Sequence, residues 1–210
     1  MENAGPTVPL QGLELCLKFA DTVDWRTSNH AKDLLVTYTD LVNWSQRRGI
    51  IDNQEAKRLL ETASKETATS EEILERAKTL REAIYRMFSG VAHGRRADAA
   101  DVKILNEYLG KAMARMEVKI TDAGYSLGWC RDEFADKMLY PVAKSAAELL
   151  TSEHLDRVRE CANEEEGCGS MFIDYSKSHT KRWCSMDTCG NKYKSRTYYA
   201  KHGKPQGSKS

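Results

Sequence analysis

Four cysteines near the C-terminus constrain the fold of this chain more than any other feature. They form two close pairs, a C-x₆-C pair and a C-x₄-C pair separated by 15 residues: Cys161 with Cys168, and Cys184 with Cys189. A short loop can direct two thiolates at one point, and two such pairs make the tetrahedral set that structural zinc prefers. The spacing therefore predicts one Zn²⁺ with a closed ligand shell, which stabilises the fold and performs no catalysis.

Two alternatives to this ligand set stay open in the sequence. The C-x₆-C spacing is longer than most zinc fingers use, so His179 and His154 are candidates to replace Cys168. The cysteines are alternatively ordinary buried thiols, because free cysteine is among the most buried residue types. A disulfide framework is not indicated, since the remaining cysteines, Cys16 and Cys130, each stand alone.

The residues before the cysteines carry apolar side chains at helical spacing, which predicts a mainly α domain over residues 10–152. Asp52 and Asp98 each stand where they can cap a helix, and Thr69 is expected to cap the most clearly amphipathic helix. Residues 116–130 alternate between apolar and polar side chains around a turn, which predicts a small β-hairpin.

Helical spacing resumes after the predicted hairpin. It runs from Phe134 to Leu149 with Pro141 inside it, so a kinked or divided helix is expected there. A shorter helix is expected from about Ser152 to Cys161, leading into the cysteine cluster.

The order of elements around the cysteines predicts a treble-clef-like zinc finger over residues 153–203. Two short strands, MFIDYS and KRWCS, are expected between the pairs, and a helix is expected from Asn191 to Lys201. Gly190 suits the tight turn of a zinc knuckle. Residues 204–210 have nothing to bury and are expected to form a disordered basic tail. The predicted fold class is mainly α, with the helical domain first and the finger last.

Positive charge is concentrated beside the cysteines. The chain has a formal net charge of +1, but the residues from Gly169 onward hold nine Lys/Arg against two acids. Such asymmetry is typical of a segment that binds a polyanion, and a basic helix fits the major groove of double-stranded DNA. A solvated basic face is the alternative. The candidate DNA-binding residues are Lys181, Arg182, Lys192, Lys194, Arg196 and Lys201.

Two segments resemble a known family. RWCSMDTCGNKYKSRTYYA is similar to the CGNR-type zinc finger, with Lys192 where that family usually has arginine. LELCLKFADTVDWR is similar to the start of the ABATE domain that usually precedes this finger, with Asp21 in place of the usual asparagine. The resemblance covers roughly residues 13–202. It implies a bacterial transcription regulator whose helical domain senses a stress or a ligand.

Three consecutive residues are candidates for the ligand pocket of such a sensor. An arginine beside an aromatic ring can clamp an anion, so Asp24, Trp25 and Arg26 are candidates to line a pocket for a small-molecule effector. The alternative is a buried ion pair and a core tryptophan, because a chain has few ligand pockets.

These features together predict a DNA-binding transcription regulator with one structural zinc. A single DNA-binding module buries only roughly 600–1,000 Å², so specific binding is expected to need a homodimer. No apolar run of ~20 residues and no secretory signal are visible, so a cytoplasmic, nucleoid-associated protein without membrane contact is expected. No nucleophile–base spacing, phosphate loop or H-E-x-x-H pattern indicates an enzyme. The alternative function is a zinc-stabilised protein-interaction module or a thiol redox sensor.

Overall fold

Helices and short strand pairs alternate along the chain in the computed structural model, which describes residues 10–130 and 134–203. The helices are α1 (Leu10–Leu13), α2 (Leu15–Ala20), α3 (Tyr38–Arg47), α4 (Asn53–Ala63), α5 (Thr67–Ala92), α6 (Ala99–Met113), α7 (Leu139–Leu150) and α8 (Asn191–His202). The strands are β1 (Val23–Asp24), β2 (Lys32–Asp33), β3 (Met116–Thr121), β4 (Gly124–Trp129), β5 (Val158–Glu160) and β6 (Met171–Ile173). The predicted basic tail, residues 204–210, lies outside the described residues.

Side-chain caps set where several helices begin. Asp52 caps α4 as predicted: its carboxylate accepts the N–H of Glu55 at 2.7 Å, and the Glu55 carboxylate accepts the Asp52 N–H in return. Asp98 caps α6, also as predicted. The prediction that Thr69 caps the most clearly amphipathic helix is wrong, because the helical hydrogen-bond ladder of α5 already starts at Thr67.

The segment after the β3–β4 hairpin differs from its prediction. α7 begins at Leu139, which puts Pro141 in the first turn, where its missing N–H leaves no helical hydrogen bond unmade. One continuous helix follows instead of a kinked or divided one. The helix expected from Ser152 to Cys161 is also wrong, because a 3₁₀ turn at Leu155–Arg157 leads into β5, which pairs with β6.

The strand pairs of the described residues are all two-stranded and antiparallel. β3 and β4 form the predicted hairpin, with Val118 opposite Leu127. β5 and β6 pair with Arg159 opposite Phe172, whereas the segment KRWCS, expected as a strand, is irregular. Because β5 ends at Glu160 and β6 begins at Met171, Cys161 and Cys168 both lie in the loop of this hairpin.

One apolar core joins the helical domain to the strands of the finger. Side chains from α2, α5 and α7 fill it, among them Phe19, Phe88 and Leu149, which are fully buried. Val158 on β5 and Ile173 on β6 belong to the same core. The β5–β6 hairpin is therefore packed against the helices while its loop carries the first cysteine pair.

The longest helix, α5, is the centre of the helical domain. It spans 26 residues and contacts α2, α3, α4, α6 and β5. Within the described ranges, no helix combines the length and the apolar character that crossing a membrane requires.

Candidate metal centre and basic helix

The sulfur atoms of the two cysteine pairs converge on one point. The Sγ atoms of Cys161, Cys168, Cys184 and Cys189 all lie within 4.8 Å of one another. The Sγ of Cys184 is 3.7 Å from that of Cys168 and 3.7 Å from that of Cys189. A tetrahedron with metal–sulfur bonds of about 2.3 Å has edges of about 3.8 Å, so the cluster has the dimensions of a zinc site. All four thiols are free, so no disulfide competes with the metal.

Backbone hydrogen bonds bring the two pairs together. The N–H of Cys161 donates to the carbonyl of Ser170 at 2.9 Å, which closes the loop directly after β5. The N–H of Ala162 donates to the carbonyl of Arg182 at 2.9 Å and so holds the second cysteine segment beside the first. The N–H of Cys184 donates to the Sγ of Cys161 at 3.4 Å, a contact that favours the thiolate.

Glycines on both sides of Cys168 let the first pair lie against the helical domain. Gly167 has a φ of +68°, and a Cβ atom there would be 2.5 Å from the backbone N of Ser28. Gly169 has a φ of +64°, and the N–H of Arg26 donates to the carbonyl of Cys168 at 3.2 Å. The Gly-Cys-Gly triplet is the sequence signal for this close approach, which the cysteine spacing alone did not indicate.

Gly190 does not form the tight turn that the sequence predicted. Its φ of −64° is helical, so the backbone there does not depend on a glycine's conformational freedom. A Cβ atom at Gly190 would be 2.7 Å from the Sδ of Met186 and 3.3 Å from the Trp183 ring. These two side chains therefore pack closely against the backbone at the start of α8.

The thiols are sheltered and electrostatically coupled. Cys161, Cys168 and Cys189 are 2–5% exposed, and Cys184 is half-buried. Hydrogen bonds from the thiols of Cys161 and Cys184 lower the pKa of Cys168. Contact with Cys161 and Cys168 raises the pKa of Cys184, because a second thiolate would face the first. A divalent cation bound by the four sulfurs would replace the remaining protons, because thiolate sites release protons when they bind metal.

The alternative histidine ligands are not part of the cluster. Among the described residues, the group able to hold a metal here consists of the four cysteines. His179 is exposed in the loop after β6, and His154 lies in the turn before β5. The four-cysteine set, including Cys168 despite its long loop, is therefore the site for one Zn²⁺.

Two buried polar residues around the cluster escaped the sequence analysis. Asn163 is 1% exposed, and its Oδ1 accepts a hydrogen bond from Nη2 of Arg196 at 2.6 Å. Asp174 is fully buried, and its carboxylate accepts the N–H groups of Ser176 and Lys181, each at 2.9 Å. Burial opposes the ionisation of Asp174, but these hydrogen bonds outweigh burial and lower its pKa. The burial of both residues results from tertiary contacts, but the local turn in which Asp174 accepts the N–H of Ser176 is a sequence signal for Asp174.

Two of the predicted DNA-binding residues on α8 contact an acidic turn, Glu164–Glu166, within the first cysteine loop. Nζ of Lys192 is 3.1 Å from Glu166, and Nη1 of Arg196 is 2.8 Å from the same carboxylate. Arg196 also lies 3.1 Å from Glu165. Hydrogen bonding from Lys192, supported by the charge of Arg196, lowers the pKa of Glu166. This face of α8 is therefore engaged within the chain.

The other four predicted DNA-binding residues are exposed and lie in two places. Lys194 and Lys201 are on α8, with Tyr198 between them at 58% exposure. Lys181 and Arg182 precede the second cysteine pair, and each cation lies over an aromatic ring at 4.9 Å. These side chains give the finger a basic surface that is open to solvent.

The candidate pocket residues lie in three different surroundings. Nη1 of Arg26 is 2.5 Å from Glu82, and its guanidinium lies 4.1 Å over the ring of Tyr85. Trp25 packs against the cysteine cluster and has a left-handed backbone, with a φ of +50°. Asp24 is exposed and borders a cavity of about 510 Å³ between α2 and α3. Arg26 and Trp25 thus contribute to packing at the junction with the finger.

Comparison with known families covers most of the chain. The ABATE model, described as "Putative stress-induced transcription regulator", matches residues 13–153. The CGNR zinc finger model matches residues 157–202, which contain the four-cysteine cluster and α8. No curated protein matches the sequence. The chain therefore belongs to the ABATE family and carries a CGNR zinc finger after the ABATE domain.

Proposed function

We propose that this protein binds double-stranded DNA through its zinc finger and regulates transcription, with zinc in a structural role. The observation that carries the proposal is the exposed face of α8, formed by Lys194, Tyr198 and Lys201. Residues four and seven apart share a helix face. A helix with such a face fits the major groove of DNA, where lysine contacts guanine edges and phosphates.

The two faces of α8 have separate roles in this proposal. Lys192 and Arg196 lie about 180° around the helix from Lys194 and Lys201, at about 100° per residue. Their ion pairs with Glu166 hold α8 against the first cysteine loop. They act as positioning residues that also add positive potential, while the opposite face contacts DNA. An arginine at position 192 would make a stronger, two-pronged contact with the Glu166 carboxylate than Lys192 does.

Zinc binding explains how so small a module can hold α8 in a fixed position for contact with DNA. When bound, zinc supplies a rigid cross-link between the β5–β6 loop and the start of α8, and no catalytic chemistry. Trp183 packs against Tyr193 with ring centroids 4.7 Å apart, which braces the first turn of the helix from the other side. Lys181 and Arg182 then extend the basic surface beyond α8.

The helical domain is proposed to supply dimerisation and a response to an effector. A homodimer would read two half-sites, which compensates for the small surface of one finger. The cavity bordered by Asp24 is also lined by Lys18, Arg47 and, from the finger, Ser170. A small-molecule effector bound there would contact both parts of the chain.

The decisive experiment is selection of bound fragments from sheared genomic DNA with zinc-loaded protein, followed by binding curves on a selected fragment. The variant Lys194→Ala/Lys201→Ala is expected to bind at least about tenfold more weakly, with a salt slope smaller by about two. Lys57→Ala/Lys103→Ala removes the same charge from exposed sites on the helical domain and is the matched control. Absence of any selected fragment, or equal loss in both variants, would sink the proposal.

The burial of the ligands argues against the redox alternative. A thiol sensor exposes its reactive sulfur, whereas three of these four cysteines are 2–5% exposed. Cys184, the half-buried one, is where an oxidant would enter. Zinc release by mild peroxide without any change in DNA affinity would favour the redox sensor over the DNA-binding regulator.

A further inference from the structure

The outer face of the β3–β4 hairpin is apolar and open to solvent. Val118 pairs with Leu127, and Ile120 pairs with Tyr125. Side chains two apart on a strand share a face, and directly opposed partners share it too. These four side chains, 62–85% exposed, therefore form one continuous surface, called here the hairpin face.

The opposite side of the hairpin is polar and satisfied within the chain. The side chain of Lys119 lies across Gly128 and donates from Nζ to the carbonyl of Trp129 at 2.6 Å. Nζ of Lys119 is also 3.5 Å from Glu117. In an ordinary antiparallel sheet the apolar side is the buried one. In this hairpin the apolar side is exposed instead, and no other described residue covers it. It is therefore a candidate surface for contact with another molecule.

We propose that the hairpin face is the contact through which two copies of this chain form a two-fold dimer. Its charge fits this occupant better than a polyanion or an anionic membrane, both of which require surrounding cations. Lys119 is paired with Glu117, and Asp122 at the turn adds a negative charge. A near-neutral apolar surface of this kind does not repel its own copy.

The uniform apolar character of the hairpin face also favours a second copy of this chain as its partner. In a two-fold contact the same surface faces itself, so a patch in which every position is apolar buries only apolar groups against apolar groups. The four side chains expose several hundred Å², the size at which surface patches mark interaction sites. Since a standard stable interface takes about 800 Å² from each partner, we expect a reversible dimer with a dissociation constant in the micromolar range.

The root of the hairpin is fixed to the helical domain, so a dimer formed by its outer face would have a defined geometry. The N–H of Cys130 donates to the carbonyl of Arg115 at 2.8 Å, and Trp129 packs near Tyr140 with ring centroids 6.5 Å apart. This inference deepens the proposed function by locating the dimer contact, yet its test needs no DNA.

Sedimentation velocity of the zinc-loaded full chain, from about 1 to 200 µM, tests the proposal. The wild type is expected to shift from monomer to dimer over this range. Ile120→Thr/Leu127→Thr keeps β propensity while removing apolar surface, and is expected to raise the dissociation constant at least about tenfold. Thr121→Ser/Ser126→Thr changes the polar side without adding charge and is the control, expected to dimerise within about twofold of wild type. Zinc content and far-UV circular dichroism verify that each variant is folded.

A photo-reactive phenylalanine analogue at Tyr125 identifies the occupant directly. Cross-links between the hairpins of two chains support the proposal. Cross-links within one chain, for example to residues 1–9 or 204–210, overturn it. So do a wild type that stays monomeric, a threonine variant that dimerises like wild type, and binding to neutral phosphatidylcholine vesicles in place of dimerisation. A dimer that binds no DNA would contradict the proposed DNA binding alone, whereas DNA binding by a strict monomer would contradict this inference and the dimerisation role of the helical domain but not the DNA-binding function.

Discussion

The carboxylate of Asp21 accepts a hydrogen bond from the backbone N–H of Met171 at 2.9 Å, and so ties the end of α2 to the first residue of β6. Burial raises the pKa of Asp21 to about 7, although the Met171 hydrogen bond and the charge of Lys18 oppose this shift. The asparagine usual at this position of the ABATE domain would offer the same acceptor without a charge to bury. Ionisation of Asp21 therefore destabilises the junction between the helical domain and the finger, by an amount that depends on pH.

Asp21→Asn is expected to stabilise the protein at neutral and alkaline pH. The folded-state pKa of about 7 exceeds the ordinary value of 3.8, so ionisation weakens the fold increasingly as pH rises from about 4 to 7 and fully above that. The gain in melting temperature should grow between pH 5.5 and 8.5. Asp24→Asn, at an exposed carboxylate nearby, is the control. A gain that stays constant across this range would contradict the prediction.

Gly167→Ala is expected to destabilise the finger severely. The new Cβ would meet the Ser28 backbone at 2.5 Å, in addition to the strain of a φ of +68°. Gly94→Ala is a matched control, because Gly94 has a φ of +69° and open space around it. The control should lose about 1 kcal/mol of unfolding free energy, from backbone strain alone. Urea unfolding and zinc affinity measure both variants, and equal losses would refute the role of close packing.

Arg81→Met is expected to lower the unfolding free energy by about 2 kcal/mol, because Asp33 loses its two-pronged partner while Glu82 keeps its ion pair with Arg26. Arg81 is 3% exposed and contacts Asp33 at 2.6 and 2.8 Å and Glu82 at 2.9 Å. Lys57→Met, on α4, breaks an exposed pair with Glu61 and should change stability by less than about 1 kcal/mol. Similar effects of the two substitutions in urea unfolding would contradict this ranking.

Cys184→Ser is expected to abolish stoichiometric zinc binding, whereas Cys130→Ser should retain one zinc per chain. Cys184 belongs to the sulfur cluster, and Cys130 follows β4 outside it. Loss of zinc should shift the tryptophan emission to longer wavelength, because Trp183 and Trp25 pack against the cluster. The far-UV signal should change little, since the helical core does not include the cysteine loops. Zinc retained by Cys184→Ser would disprove the four-cysteine site.

Local patterns in the sequence predicted the elements that local interactions determine. Asp52 caps α4 because a carboxylate three residues before an exposed N–H suffices, whatever surrounds it. The β3–β4 hairpin follows from alternation and a turn. Conversely, residues 152–161 look helical locally, but burial of Val158 against the core and pairing with β6 outweigh helix propensity there.

The sequence by itself predicted a metal site at the two cysteine pairs, because ligand type and spacing are properties of the chain, and the fold then showed that Cys168 rather than a histidine completes it. Only the tertiary structure decided which face of α8 is free. Lys192 and Arg196 look equivalent to Lys194 and Lys201 as sequence, but the fold brings Glu166 to the first pair and leaves the second pair exposed. Charge is encoded residue by residue, whereas its pairing depends on which distant segments meet.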